Sequence, residues 1–446
     1  MYKYFPHTPE DIALMLKASG HEKIDDLFED IPQNVRFKGD YNVPSSLSEL
    51  EVTEYLSSLA KSNQELVIFR GAGAYDVYTP SIIKTLTSRQ EFLTSYTPYQ
   101  PEVAQGTLQY IFEYQSMICE LTGMDVSNAS MYDGATAAAE AVFMAKAATK
   151  IHRVLLSETL NPQLLEVIRT YAFYNGIEVI LLKSKDGLLD QAHIDQLLLE
   201  GPAHLVVSYP NYYGLVEDFS LAGEKIHASK GLMIVVANPS LLSVLKTPKA
   251  QGADIVCGDG QVLGVPLSFG GPYLGYLTTT ESLMRKMPGR ICGLTHDADG
   301  KRGFVLTLQA REQHIRREKA NSNICSNQSL MVLHVAIYLA TMGKQGLIDV
   351  AGRSIGGAHY LHQKLIDTKR FRSVYKGPFA NEFVVQCDGD YEKLNQHLLN
   401  KGILGGLVVS LPQGGQGLLI AVTEKRSKQE MDRFVKEMEV GLNEIL

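Results

Sequence analysis

The sequence predicts an α/β protein with a mainly parallel sheet, a helical N-terminal arm and a small C-terminal α+β domain, and three observations carry this. Strand-like runs between residues 150 and 280, such as Val154-Leu155-Leu156 and Met233-Ile234-Val235-Val236, are continuously apolar, the pattern of strands covered on both faces. Single helix-period stretches separate them, as crossover connections between parallel strands require. The chain is also long enough, at 446 residues with 45% apolar and 20% charged, to bury one large core and a satellite.

Taken in order, Thr8-Pro9-Glu10-Asp11 starts a helix that Gly20 stops, and Pro32 and Pro44 interrupt the stretch beyond Gly20. Residues 1 to about 60 therefore read as a polar helical arm with no core of its own. A strand over 65–70, a Gly71-Ala72-Gly73 turn and a short helix over 80–86 come next. From 107 helices are predicted at 108–121, 135–150, 162–174 and 191–199, with strands at 154–156, 178–182, 204–208, 232–237, 254–257 and 273–277. After Leu330 an apolar helix ends at Gly343, and a second runs to about Leu365. Strands at 382–386, 407–410 and 417–422, with helices at 391–400 and from about Ser427, form the small domain. The division expected is 1–90 for arm and linker, 91–325 for the large domain and 326–446 for the small one.

Composition excludes several functions. The 42 basic and 49 acidic residues leave a net charge of −7 with no long block of either sign, which argues against nucleic acid as a partner. The cysteines (Cys119, Cys257, Cys292, Cys325, Cys387) form no C-x-x-C pair, so neither a disulfide framework nor a zinc knuckle is expected, and a reducing cytoplasmic compartment is. No HExxH occurs, and His359/His362 is the only close histidine pair, so no metal site is expected. Glu10 and Asp11 stand where a targeting leader would be basic, and no apolar run approaches the ~18 residues that cross a bilayer. A soluble, unprocessed protein without a membrane is expected.

Three segments bear chemistry. Asp133-Gly134-Ala135-Thr136 opens an Ala-rich helix, where Asp133 can cap and the N–H groups of Gly134, Ala135 and Thr136 suit a phosphate; close packing of small residues explains the pattern equally well. Tyr96-Thr97-Pro98-Tyr99-Gln100-Pro101-Glu102 is held extended by two prolines and can either enter a neighbour's cleft or pack at a domain edge. Gly252 to Gln261, followed by Phe269-Gly270-Gly271-Pro272, reads as a strand ending in a polar turn and a glycine-rich return.

YTPYQPE at 96–102, FEYQSMICELTGMDVSNASMYDGATAAAEA at 112–141 and REQHIRREKANSNICSNQSL at 311–330 are long, idiosyncratic strings, and the whole length resembles the glycine decarboxylase family, the P protein of the glycine cleavage system, in the α-subunit (subunit 1) branch of its two-chain form. The resemblance implies the aspartate-aminotransferase-like fold of pyridoxal-phosphate enzymes. It implies a catalytic partner, the β subunit, in an α2β2 assembly that decarboxylates glycine and passes the aminomethyl group to the lipoylated H protein.

Against the catalytic half of the family this chain departs three times. Gln261 stands at the Schiff-base lysine position, counted back from Pro272, and an amide cannot form that bond. Val235 falls on the pyridinium-pairing Asp position when Ala237-Asn238 is matched. Alanines replace most of the phosphate cradle, leaving Gly134, Ala135 and Thr136 as its vestige. The implied cofactor state is none in this chain and pyridoxal 5'-phosphate in the partner. The implied contribution to the partner's site comes from Tyr96, Thr97, Tyr99 and Gln100. Two alternatives stand beside this: a purely scaffolding pseudoenzyme, and a self-sufficient enzyme using another lysine such as Lys246 or Lys249.

Overall fold

The computed structural model describes residues 6–445, in two compact units divided between Gln64 and Glu65. The first unit carries the helices Pro9–Ala18 and Glu49–Ala60. Each begins with a reciprocal capping box, Thr8 with Asp11 and Ser48 with Glu51, which satisfies backbone N–H groups that the first turn would leave open. On the second helix Val52, Tyr55, Leu56 and Leu59 recur at helical spacing, yet none is buried.

The second unit is built on a seven-stranded sheet ordered Val126–Ser127, Gly275–Thr279, Ile255–Asp259, Met233–Ala237, His204–Tyr209, Arg153–Ser157, Glu178–Leu182. The last five are parallel, while Gly275–Thr279 runs antiparallel to both its neighbours. Apolar residues point to both faces, as the continuous runs required: Leu205, Val207 and Val235 join one core, and Val206, Ile234 and Cys257 join the alanines of the helix Gly134–Thr149 in another. Missing from the sequence reading is a hairpin, Ile291–His296 with Arg302–Thr307, turned around a polar Asp297 to Lys301 loop.

By length and composition the helix Ser329–Asp367 could span a bilayer. It breaks at Gly343, whose positive φ of 58° stops the first segment where the sequence expected a stop. Val332, Val335 and Tyr338 pack in the large core; Ala358, Leu361 and Leu365 pack under the small sheet. That sheet is four-stranded and antiparallel: Phe371–Ser373, Glu382–Cys387, Gln416–Ala421, Leu407–Ser410. One face meets Leu394, Leu398 and Phe434 of the covering helices. The other meets Tyr213 and Leu215 of the turn after the strand His204–Tyr209.

Candidate functional site

In a parallel sheet the strand ends and helix starts converge on one edge, so a recess forms where crossovers leave the C-terminal ends of the strands. Here it is a cavity of about 300 Å³. Asp259, Asn238, Ser208 and Asn161 line it, each near the C-terminal end of a different parallel strand. The start of the helix Gly134–Thr149, the Ala72 to Tyr75 turn, and Asn381 and Glu382 of the small domain close it.

Carboxylates of the chain itself occupy the helix start. Asp259 Oδ2 accepts the Gly134 N–H at 3.0 Å, and Asp133 Oδ1 accepts the Thr136 N–H at 2.7 Å. Glycine is needed at 134 because a Cβ there would lie 2.8 Å from the Asp259 backbone nitrogen. Ala135 also faces the cavity, and Thr136 turns its hydroxyl to Asp133. Burial pushes the Asp259 carboxyl up to about 6, against the two N–H bonds from Gly134 and Gln261 that pull it down.

Gln261 is 0% exposed and absent from the cavity wall. Its amide donates to the carbonyls of Tyr75 and Val265 and accepts the Tyr75 N–H, so it ties the 71–75 turn to the strand end. Val235 also fails to reach the cavity. It is 0% exposed within the strand, while Ala237, two residues on and on the same face, lines the site together with Val236 and Asn238. Asn238 is the polar residue that the end of this strand presents.

Sequence reasoning missed the small-domain wall. Glu382 accepts the Ala72 N–H at 2.7 Å and the Tyr75 hydroxyl at 2.6 Å, and burial pushes its carboxyl up to about 7. Gly71 has no side chain because a Cβ would meet this carboxylate at 2.4 Å. The motif around 71–73 was legible as a turn, but nothing in it announced a partner at 382.

Glu140 and Glu217 are likewise pushed up to about 7 by burial. These acids ionise near 4 in the unfolded chain but only near 6 to 7 in the folded one, so stability is lost as pH rises through that window and levels off above it. Thermal melts should fall from about pH 5 to 7, and Glu382→Gln should flatten the slope. A melting temperature that rises across this range contradicts the assignment.

The 96–102 loop does not enter the chain's own cavity. Tyr96 is 87% exposed, Thr97 is half-buried, Gln100 is exposed, and Tyr99 accepts a hydrogen bond from Arg290 at 3.1 Å. The Arg290 guanidinium lies 5.4 Å from the Tyr99 ring centroid and also donates to the Cys325 carbonyl. Glu312 approaches it at 3.9 Å, and His314 packs edge-on to Tyr99. Two of the idiosyncratic strings, 96–102 and 311–330, thus meet around one buried arginine. Arg290 Nε, Glu312 Oε1 and Asn327 Nδ2 are buried without hydrogen-bond partners among the described residues.

The fold family implies pyridoxal phosphate, and this cavity does not fit it. No lysine lines it, and its charged groups are the carboxylates Asp133, Asp259 and Glu382, two of which already hold the N–H groups a phosphate would use. Lys246 and Lys249 stand outside it, near Asp218 and Asp125. Among the described residues no cluster of His, Cys, Asp or Glu could hold a metal ion.

Residues 2–438 match the glycine cleavage system P-protein family. A probable glycine dehydrogenase (decarboxylating) subunit 1 of Anoxybacillus flavithermus is 47% identical over 98% of this chain and 99% of its own length. Its counterpart in Geobacillus kaustophilus is 48% identical over 99% of each chain. A crystal structure of the glycine cleavage system's glycine decarboxylase (P-protein), in inhibitor-bound form, superposes with a TM-score of 0.89 at 40% identity, covering 99% of this chain and 100% of that one. A sphingosine-1-phosphate lyase of Burkholderia pseudomallei, at 15% identity and TM-score 0.68 over 93% of this chain and 95% of its own, shares the aspartate-aminotransferase-like fold alone. The chain belongs to the glycine cleavage system P-protein family.

Proposed function

We propose that this chain is the non-catalytic α subunit of a cytoplasmic glycine dehydrogenase (decarboxylating), working with a β subunit that carries pyridoxal 5'-phosphate, in an α2β2 assembly that hands the aminomethyl group to the lipoyl arm of H protein. The observation that carries it is the cavity: an intact recess of the fold whose lysine is absent and whose phosphate seat is filled by Asp259 and Asp133. The relatives' designation as subunit 1 supports a second chain. So does the unburied stripe Val52, Tyr55, Leu56, Leu59, because an apolar face of this kind marks an interaction surface. The five free cysteines suit a reducing compartment.

The Arg290 cluster supports a contribution to the partner's pocket rather than scaffolding alone. The Tyr99 hydroxyl accepts from Arg290 and keeps its own proton to donate, and the neighbouring cation makes it a stronger donor. Tyr96 and Gln100 are exposed beside it.

Glycine–CO₂ exchange tests the reading. The partner with this chain should be active and each chain alone inert, and Tyr99→Phe should lower the rate of the complex ~10-fold or more, the worth of about 1.4 kcal/mol for one hydrogen bond to a charged group. Assembly, followed by sedimentation, should be unchanged. Full activity of the Tyr99→Phe complex favours the scaffold, and exchange by this chain alone overturns the proposal.

A further inference from the structure

The family cavity has not collapsed. It keeps about 300 Å³, although Asp259 and Asp133 already hold the Gly134 and Thr136 N–H groups of the phosphate seat, so its volume serves no function described above. Its wall has one sign: Asp133, Asp259 and Glu382 contribute carboxylates, and no Lys, Arg or His lines it. Asn381 is 6% exposed and faces the cavity, and its side-chain amide has no hydrogen-bond partner among the described residues. Its amide opens on the cavity, where a ligand or an ordered water can satisfy it. The Tyr212 hydroxyl, also in the wall, makes no hydrogen bond within the described chain either.

We propose that this cavity is a binding site for a small organic ammonium compound bearing a hydrogen-bonding group and no anionic one, its charge met by the carboxylate wall and its polar arm by Asn381 and Tyr212. The sign follows from the wall. An anion would add to three carboxylates in a recess of low dielectric, where like charges repel far more than in water. A cation instead supplies the counter-charge that the lining lacks. Asp259 and Glu382 each spend their bonds on N–H or O–H groups of the chain, which fixes both carboxylates in place before any ligand arrives. Occupancy would let a small amine bias the conformation of the Ala72 to Tyr75 turn, which Glu382 and Gln261 together hold.

This rests on the reading that the chain holds no pyridoxal phosphate, which cofactor absorbance of the same samples reports independently. The experiment is saturation-transfer NMR and thermal shift on the full chain, with ethanolamine, glycine and inorganic phosphate as probes. Ethanolamine is expected to bind with a Kd of ~1 mM or tighter and to raise the melting temperature, while glycine and phosphate, each carrying an anionic group, do not bind. Glu382→Gln and Asn381→Leu, which keep the number and branching of the side-chain heavy atoms, should each weaken ethanolamine ~10-fold, with near-ultraviolet dichroism confirming the native fold. Binding of phosphate in preference to ethanolamine, no ethanolamine binding at ~10 mM, or undiminished binding by both variants overturns the proposal.

Discussion

Gln261→Lys is expected to lower the stability of this chain by about 3 kcal/mol and to yield no aldimine with added pyridoxal phosphate. Restoring the lysine that the resemblance calls for would be the obvious way to revive a pyridoxal enzyme. Yet Gln261 is fully buried with all of its main hydrogen-bonding capacity used: its amide nitrogen reaches two carbonyls and its oxygen holds the Tyr75 N–H. A lysine can replace the donors but has no acceptor, so the Tyr75 N–H is orphaned and an ammonium is buried as well. The side chain would also point at the Tyr75 backbone rather than into the cavity. Adding Val235→Asp would add a second buried charge, because that side chain is 0% exposed and does not line the cavity. Urea unfolding and borohydride trapping check both halves. A stable Gln261→Lys chain that traps the cofactor on the introduced lysine would show that the site is intact.

Gly214→Ala should be at least as damaging, with a loss of about 3 kcal/mol or more in urea unfolding. Gly214 has φ of +84°, where L residues are strained, and a Cβ there would lie 2.0 Å from the carbonyl oxygen of Glu382. The turn is held on every side: Asn211 accepts the N–H groups of Tyr213 and Leu215, and the Gly214 carbonyl accepts the Ala380 N–H at 3.0 Å. A methyl group must therefore push the small sheet away from the large domain at the point where Asn381 and Glu382 enter the cavity wall. The damage should reach ligand binding as well as stability. A loss under about 1 kcal/mol would mean that the two lobes are less tightly joined than this contact indicates.

The legible part of this molecule was what local pattern dictates. Continuous apolar runs such as Met233 to Ala237 could only be covered strands, Pro162 and Asp133 marked helix starts, and Gly343 broke a helix that would otherwise have run through. The hairpin at Ile291–His296 escaped because its outer half is exposed and Gly293 interrupts an already short apolar pattern. The cavity was illegible for a different reason. Asp259 meets Gly134 across 125 residues and Glu382 meets Tyr75 across 307, and neither pairing leaves a local signature. Resemblance supplied the place to look, at Gln261 and the cradle. Tyr99 was singled out as a polar group on a stiff loop, but its anchor, Arg290, lies in a segment that carried no motif.

Under the function proposed above, the pyridoxal chemistry belongs to the partner, and this chain shapes the site without holding the cofactor. Borohydride reduction of the assembled α/β complex in the presence of pyridoxal phosphate, followed by mass spectrometry of each separated chain, tests that assignment most directly. One pyridoxyl-lysine is expected on the partner and none on this chain. A stoichiometric pyridoxyl group on any lysine of this chain, Lys246 and Lys249 included, would contradict it.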